Sequence, residues 1–167
     1  MNKVLIFLSG ATEAFIKKYL TVRNMEFNEL VCVDPCVFFR KTHPMAGCEV
    51  IRISEMQMFP YASFSSAETG SNDFAEEVIL ENIGEIRQRF SVADRATMIN
   101  ILTHTDAFSI GTGILSPGFA GPELVSRPIE GHKNEIHIGW IQITGMPLSE
   151  TCELLIEKLK QTLNNRQ

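Results

Sequence analysis

No run of Lys and Arg occurs anywhere in the sequence, and the formal net charge is −5. A chain without a basic stripe carries no electrostatic footprint for a phosphate backbone, so autonomous nucleic-acid binding is not expected. Long apolar runs are lacking too: nothing approaches the ~18 residues of a membrane span. The apolar stretch Val4 to Leu8 near the N-terminus is shorter than the ~7 residues of a secretory h-region. It reads better as a buried strand, because strands covered on both faces are continuously apolar. Without an export signal, a cytoplasmic location and reduced thiols are the expectation. Repeats and low-complexity tracts are also absent. With 44% hydrophobic and 21% charged residues the chain is far from a disordered composition. Its 167 residues suffice for one good core or two small lobes.

Signatures of catalysis are equally thin. There is no G-x-S-x-G, and Gly111-Thr112-Gly113 lacks the Lys-Ser/Thr of a phosphate-binding loop. Those glycines read as a tight turn after a strand. The histidines, His43, His104, His132 and His137, are scattered. His43 is expected in an exposed basic turn and His137 on a solvent-facing strand position. His104 and Asp106 are close enough in sequence to form an acid/base pair, with no nucleophile beside them. Cys32, Cys36, His43 and Cys48 follow a nominal zinc spacing. Four steps along an extended chain separate the first two by about 13 Å, whereas tetrahedral zinc needs both sulfurs at about 2.3 Å. Buried thiols, no metal and no cofactor are therefore expected.

What the sequence does contain is a regular alternation of strand-like and helix-like segments. Residues 3–8 read as a strand, 13–20 as one or two helical turns, and 26–40 as a strand region broken at Asp34-Pro35, where proline cannot donate to a ladder. Ser54 can cap a short helix ending before Pro60, and Tyr61 to Phe64 reads as a strand. A polar loop, 65–72, leads into a helix over 73–83. Strand 86–92, helix 95–103 capped by Asp94, strand 107–110 and strand 136–143 follow. The last element is an amphipathic helix capped by Ser149, with Cys152, Leu155, Ile156, Leu159 and Leu163 at helical spacing. This order predicts an α/β fold with a mainly parallel sheet.

One stretch is more specific. Phe38-Phe39-Arg40-Lys41-Thr42-His43-Pro44-Met45-Ala46-Gly47 joins a strand to a K-x-H-P turn, after which Val50-Ile51 and Ser54-Glu55-Met56 return to apolar structure. Further on come Phe59-Pro60 and Tyr61-Ala62-Ser63-Phe64, then Asp106-Ala107-Phe108-Ser109-Ile110. Glu123-Leu124-Val125-Ser126-Arg127-Pro128-Ile129, Ile138-Gly139-Trp140-Ile141 and Pro147-Leu148-Ser149 complete the series. In order and spacing these pieces resemble the effector-binding domain of LysR-type transcriptional regulators, over nearly the whole chain.

The resemblance implies two α/β lobes of the type II periplasmic-binding-protein kind, with the chain crossing between them near Asp34-Pro35 and near Ser126-Arg127-Pro128. Lobe II is then residues 35–126, and an incomplete lobe I comprises 1–34 and 127–167. Relative to the family pattern the sequence lacks the winged helix-turn-helix, its linker helix and the opening strand–helix–strand of lobe I. The family's G-x-G-I gives way to Thr105-Asp106-Ala107-Phe108. The implied function is non-enzymatic sensing of a small polar or anionic metabolite by a homodimer, with DNA contacted only through a helix-turn-helix not present here. Expected ligand contacts are Ser9 and Thr12 in lobe I, and Phe64, Ser65, Ser66, Ser91, Thr105, Asp106 and Phe108 in lobe II. A solute-binding protein of related fold and a small enzyme using His104 and Asp106 are the alternatives.

Overall fold

The computed structural model describes residues 4–64, 86, 88–115, 121–133 and 136–164, with side chains from residue 13 to 163 of these. In chain order the first elements are β1 (Val4–Ser9), α1 (Gly10–Val22), β2 (Met25–Val33), β3 (Cys36–Arg40), a 3₁₀ turn (Ile53–Met58) and β4 (Tyr61–Phe64). They are followed by β5 (Arg89–Val92), α2 (Arg95–His104), β6 (Ser109–Gly111), β7 (Leu124–Pro128), β8 (Ile136–Ile143) and α3 (Glu150–Asn164). The helix expected over 73–83 lies outside the described residues. Two compact units result: unit 1 is Met1–Val33 with Glu135–Gln167, and unit 2 is Asp34–Asn134. The chain thus leaves unit 1 at Asp34-Pro35 and returns after Asn134; residues 127–134 group with unit 2.

In unit 1 the sheet order is β1-β8-β2, with β8 antiparallel to both neighbours. β1 and β2 therefore run parallel, joined through α1, and the returning strand β8 lies between them. This corrects the expected mainly parallel sheet. Alternating strands and helices do enforce a crossover, but a late strand inserted between the two converts each ladder to antiparallel. Ile16 and Leu20 of α1 are buried against Met25, Phe27 and Ile141. Gly139 makes that packing possible: a β-carbon there would lie 2.5 Å from the Phe27 ring and 2.2 Å from the Asn28 carbonyl oxygen. Asn24, at φ 54°, closes the α1–β2 turn in the left-handed region that asparagine tolerates.

Unit 2 is built on β6-β3-β7, again antiparallel, and on the parallel pair β4-β5. A parallel bridge between Tyr61 and Phe108 links the two pieces, and a second between Ile51 and Ile129 extends the far edge. Period-two patterning along β3 sorts the core. Val37 and Phe39 pack with Ile51, Met56, Tyr61, Phe108, Ile110 and Ile129 on one face. On the other, Phe38 and Phe64 border Ala62, Val92, Met98, Leu102, Ala107 and Leu124. Asp94 caps α2 as its sequence predicts, accepting the Thr97 N–H at 2.9 Å. Ser54 caps nothing: it lies inside the 3₁₀ turn, whose N-cap residue Arg52 makes no side-chain capping bond.

Candidate functional site

The K-x-H-P turn is a structural lock. His43 is only 3% exposed, not the solvent-facing residue its basic neighbours suggest. Its ring stacks on Phe39 at 4.6 Å and tilts against Phe59 at 4.4 Å. The Met45 N–H donates to Nδ1 at 3.1 Å, so the proton sits on Nε2, which donates to the Asp106 carbonyl at 3.2 Å. Burial lowers the His43 pKa against the weaker opposing pull of Asp106, keeping the ring neutral. With both ring nitrogens engaged, His43 offers no lone pair to a metal. Cys32, Cys36, Cys48 and Cys152 are each partly rather than fully buried. Among the described residues no group of three or more His, Cys, Asp or Glu side chains could hold a metal ion.

The expected ligand residues separate to two ends of the unit 2 sheet. Residues 108–111 run alongside β4 in the same direction, because Phe108 pairs with Tyr61. Thr105 and Asp106 precede Phe108 and so lie at the amino end of β4, while Phe64 is at its carboxyl end. The ten residues of α2 separate these ends by about 15 Å. At the amino end every group has local employment. Thr105 Oγ1 donates to the Ile101 carbonyl at 2.7 Å and accepts the Ala107 N–H at 3.1 Å, closing α2. Asp106 Oδ1 accepts from Arg40 Nε and Nη2 at 3.1 and 2.7 Å. His104 Nδ1 lies 2.9 Å from both the Asn100 carbonyl and the Thr103 hydroxyl, and makes no pair with Asp106. Phe108 is fully buried, packed on Tyr61.

The carboxyl end has a different character. There Phe64 and Leu115, both partly exposed, pack against the core cluster of Ala62, Val92, Met98, Leu102, Ala107 and Leu124. The Arg95 guanidinium of the first turn of α2 stands 5.8 Å from the Phe64 ring centre. Thr112, directly after β6, is buried and accepts a long bond from the Ile114 N–H at 3.4 Å. Next to it Cys36, opposite Gly111, has its thiol pushed up to about 11 by burial and then by the Asp34 charge. Asp94 sits at the α2 N-terminus with its pKa lowered by the Thr97 hydroxyl and backbone. Ser91 is exposed on β5, level with buried Ser63 of β4. Ser63 Oγ accepts from Arg89 Nε and Nη2, each at 3.3 Å. Ser9 ends β1 and Thr12 falls in the first turn of α1. Ser65 and Ser66 lie outside the described residues.

Sequence reading missed Thr112, Arg95, Ser63 and Arg89. The signal available for Thr112 was its place between two glycines after an apolar strand. Arg95 could have been found from its position one residue past a helix cap. A depression of ≈ 420 Å³ lined by Ser54, Gln57, Met58 and Gln88 opens at the amino end of β5, away from this edge. Its walls are exposed, flexible side chains, and the carboxyl edge is the better candidate on chemical grounds.

No family model matches the sequence, and no curated protein does. Solved structures do. HinK, a LysR family transcriptional regulator from Pseudomonas aeruginosa, aligns with a TM-score of 0.62 at 12% identity over 90% of this chain and 56% of its own. The regulatory domain of CcmR from Synechocystis, in complex with 2-PG, aligns at 0.64 with 15% identity over 97% of this chain and 74% of its own. The effector-binding domain of QuiR, in complex with shikimate, aligns at 0.56 with 14% identity over 87% and 68%. The fold is that of the LysR-type effector-binding domain. This LysR-type fold has the type II periplasmic-binding-protein architecture. The chain spans about half the length of HinK. Among the described residues no helix of the LysR-type fold is long and apolar enough to cross a membrane.

Proposed function

We propose that the chain is a non-catalytic effector-binding module of a LysR-type regulator, working in the cytoplasm as a homodimer and sensing a small polar or anionic metabolite. Unit 2 and unit 1 correspond in this reading to lobes II and I. DNA contact is assigned in this reading to a helix-turn-helix domain outside these two units. The observation that carries the reading is the carboxyl edge of β4, β5 and β6, combined with the fold. Ligands of open α/β sheets bind outside the carboxyl ends of strands. Here that edge presents a buried hydroxyl, Thr112, and an aromatic ring under a guanidinium, Phe64 with Arg95. Ser91 of β5 supplies a further hydroxyl, and Ser65 and Ser66, which follow Phe64 in sequence, are kept as proposed contacts. Ser9, at the end of β1, and Thr12, in α1, are the proposed contacts from unit 1.

The charge balance selects the ligand. Asp94 already occupies the N-terminus of α2 and accepts its first free N–H groups, so that helix end does not hold an anion unaided. Arg95 supplies the compensating cation. A ligand with one acidic group and several hydroxyls suits this set better than a dianion. Two of the structural neighbours carry small molecules, shikimate and 2-PG. Thermal-shift screening of small hydroxy acids tests the reading. A stabilising ligand is expected to lose about tenfold in affinity with Arg95→Ala, as a charge-assisted contact worth ~1.5 kcal/mol is removed. Thr112→Val should weaken it as well, and Thr105→Ala should leave it unchanged. A ligand insensitive to Arg95→Ala and Thr112→Val but sensitive to Thr105→Ala would move the site to the amino end of β4.

A further inference from the structure

Three titratable side chains meet in unit 1 on the α1-facing side of its sheet. Cys32 and His137 are directly opposed in the β2–β8 ladder, and a bulge between Glu29 and Val31 brings Glu29 to the same side. The Glu29 carboxylate accepts from His137 Nδ1 at 2.6 Å, and His137 Nε2 faces Cys32 Sγ at 4.0 Å. The carboxylate fixes the tautomer: with the proton held on Nδ1, the Nε2 lone pair points at the thiol. A thiol, an imidazole lone pair and an orienting carboxylate in that order are the components of an activated sulfur nucleophile. We propose that Cys32, His137 and Glu29 form a covalent-modification site for soft carbon electrophiles of the α,β-unsaturated carbonyl class.

The step balances within the site. Cys32 Sγ forms a bond to the β-carbon of the acceptor as the carbon–carbon π bond opens. The thiol proton passes to His137 Nε2, and the imidazolium then delivers it to the α-carbon. No oxidant or metal is needed. The 4.0 Å separation is long for a hydrogen bond and closes with a small turn of either side chain; such contacts are often loose before a reactant arrives. Both partners are reachable, with His137 and Glu29 side chains 27% and 48% exposed and Cys32 partly so. The charged neighbours from α1 are Glu13, whose pKa is lowered chiefly by Lys17 and slightly by His137, and Lys17 itself, hydrogen-bonded to Glu13. Glu29 holds the Nδ1 proton in place throughout the transfer, while Glu13 and Lys17 are engaged with each other. Cys36, by contrast, is kept protonated by burial, and serves as an inert thiol in the same chain.

The inference is independent of whether unit 2 binds an effector. N-Ethylmaleimide labelling of the intact protein, read by peptide mass spectrometry, tests it. Cys32 is expected to label at least ~10-fold faster near pH 7 than in His137→Gln, with Cys48 and Cys152 as references within the same chain. Glu29→Gln, on an exposed side chain, should slow Cys32 partly and leave the references unchanged. For the unaltered protein the Cys32 rate should rise less steeply with pH than in His137→Gln, where an unassisted thiol gains about tenfold per pH unit up to ~8.5. A Cys32 rate equal to that of Cys152, a rate unmoved by both substitutions, or no labelling of the folded protein would overturn the proposal.

Discussion

At the scale of single residues, His43 shows how much a turn motif can hide. Its basic neighbours suggest exposure, yet Phe39 of β3 and Phe59 after the 3₁₀ turn enclose it, and Arg127 ties the turn to β7. That arginine donates to the Cys48 and Ala46 carbonyls at 2.8 and 2.9 Å. Burial lowers the His43 pKa, so the unfolded chain takes up a proton that the folded one refuses. The consequence has a definite sign: stability from this residue is intact above the unfolded value of about 6.5 and is lost as pH falls below it toward the folded pKa. Urea titrations between about pH 7 and 5.5 should show this decline, and His43→Phe should remove it. The variant keeps the stacked ring but strands the Met45 N–H and the Asp106 carbonyl, costing about 1–3 kcal/mol at neutral pH. A pH dependence unchanged in His43→Phe would show that other groups carry it.

At the scale of elements, the β6–β3 edge depends on one glycine. Gly113 has φ +74°, and a β-carbon there would stand 2.7 Å from Cys36 Sγ. Gly113→Ala should therefore lose about 1–3 kcal/mol, seen as a lower urea midpoint. Gly121, at φ +65° with nothing within 4 Å, supplies the comparison: its alanine variant carries the backbone cost alone. Equal losses at the two sites would show that the thiol simply moves aside. Such elements were legible to the extent that their cause was local. Asp94 announces α2, Asp34-Pro35 announces the break between β2 and β3, and the apolar alternation of 136–143 gives β8 its bounds. The strand direction was not legible, because it depends on β8 inserting between β1 and β2 from over a hundred residues away. Nor was the division of the candidate ligands: Thr105 and Ser91 flank one helix in sequence, and only the parallel pairing of β4 with residues 108–111 shows that they sit at opposite ends. On α3 the expected inward set was nearly right, with Cys152, Ile156, Leu159 and Leu163 partly buried, but Leu155 is 59% exposed.

At the scale of the whole molecule, exposed apolar surface bears on assembly. Phe15, Tyr19 and Val22 form a stripe on α1 at i, i+4, i+7, flanking the buried face of Ile16 and Leu20, and are 61%, 44% and 78% exposed. Arg23 lies 3.6 Å over the Tyr19 ring without covering the rest. Among the described residues the unit 1 sheet ends at β1 and β2, which leaves two strand edges in the unit that carries this stripe. The exposed parts of these three apolar side chains leave unrealised roughly half of the ~1.5–3 kcal/mol that full burial of each gives, a gain that favours association against a net repulsion spread across a surface of charge −5. Light scattering at about 100 μM should therefore give a mass above that of one chain. Salt separates the contributions: apolar association should persist or strengthen when added sodium sulfate screens the acidic surface. Replacing Phe15 and Val22 by Glu places two like charges in the stripe on each partner and should return the protein to a single-chain mass; at dilutions where the unaltered protein is also single-chain, the two should unfold at the same midpoint, since neither side chain belongs to the core. A strictly single-chain species for the unaltered protein at that concentration would mean that the α1 stripe is not an association surface, and the homodimer would then need a different face.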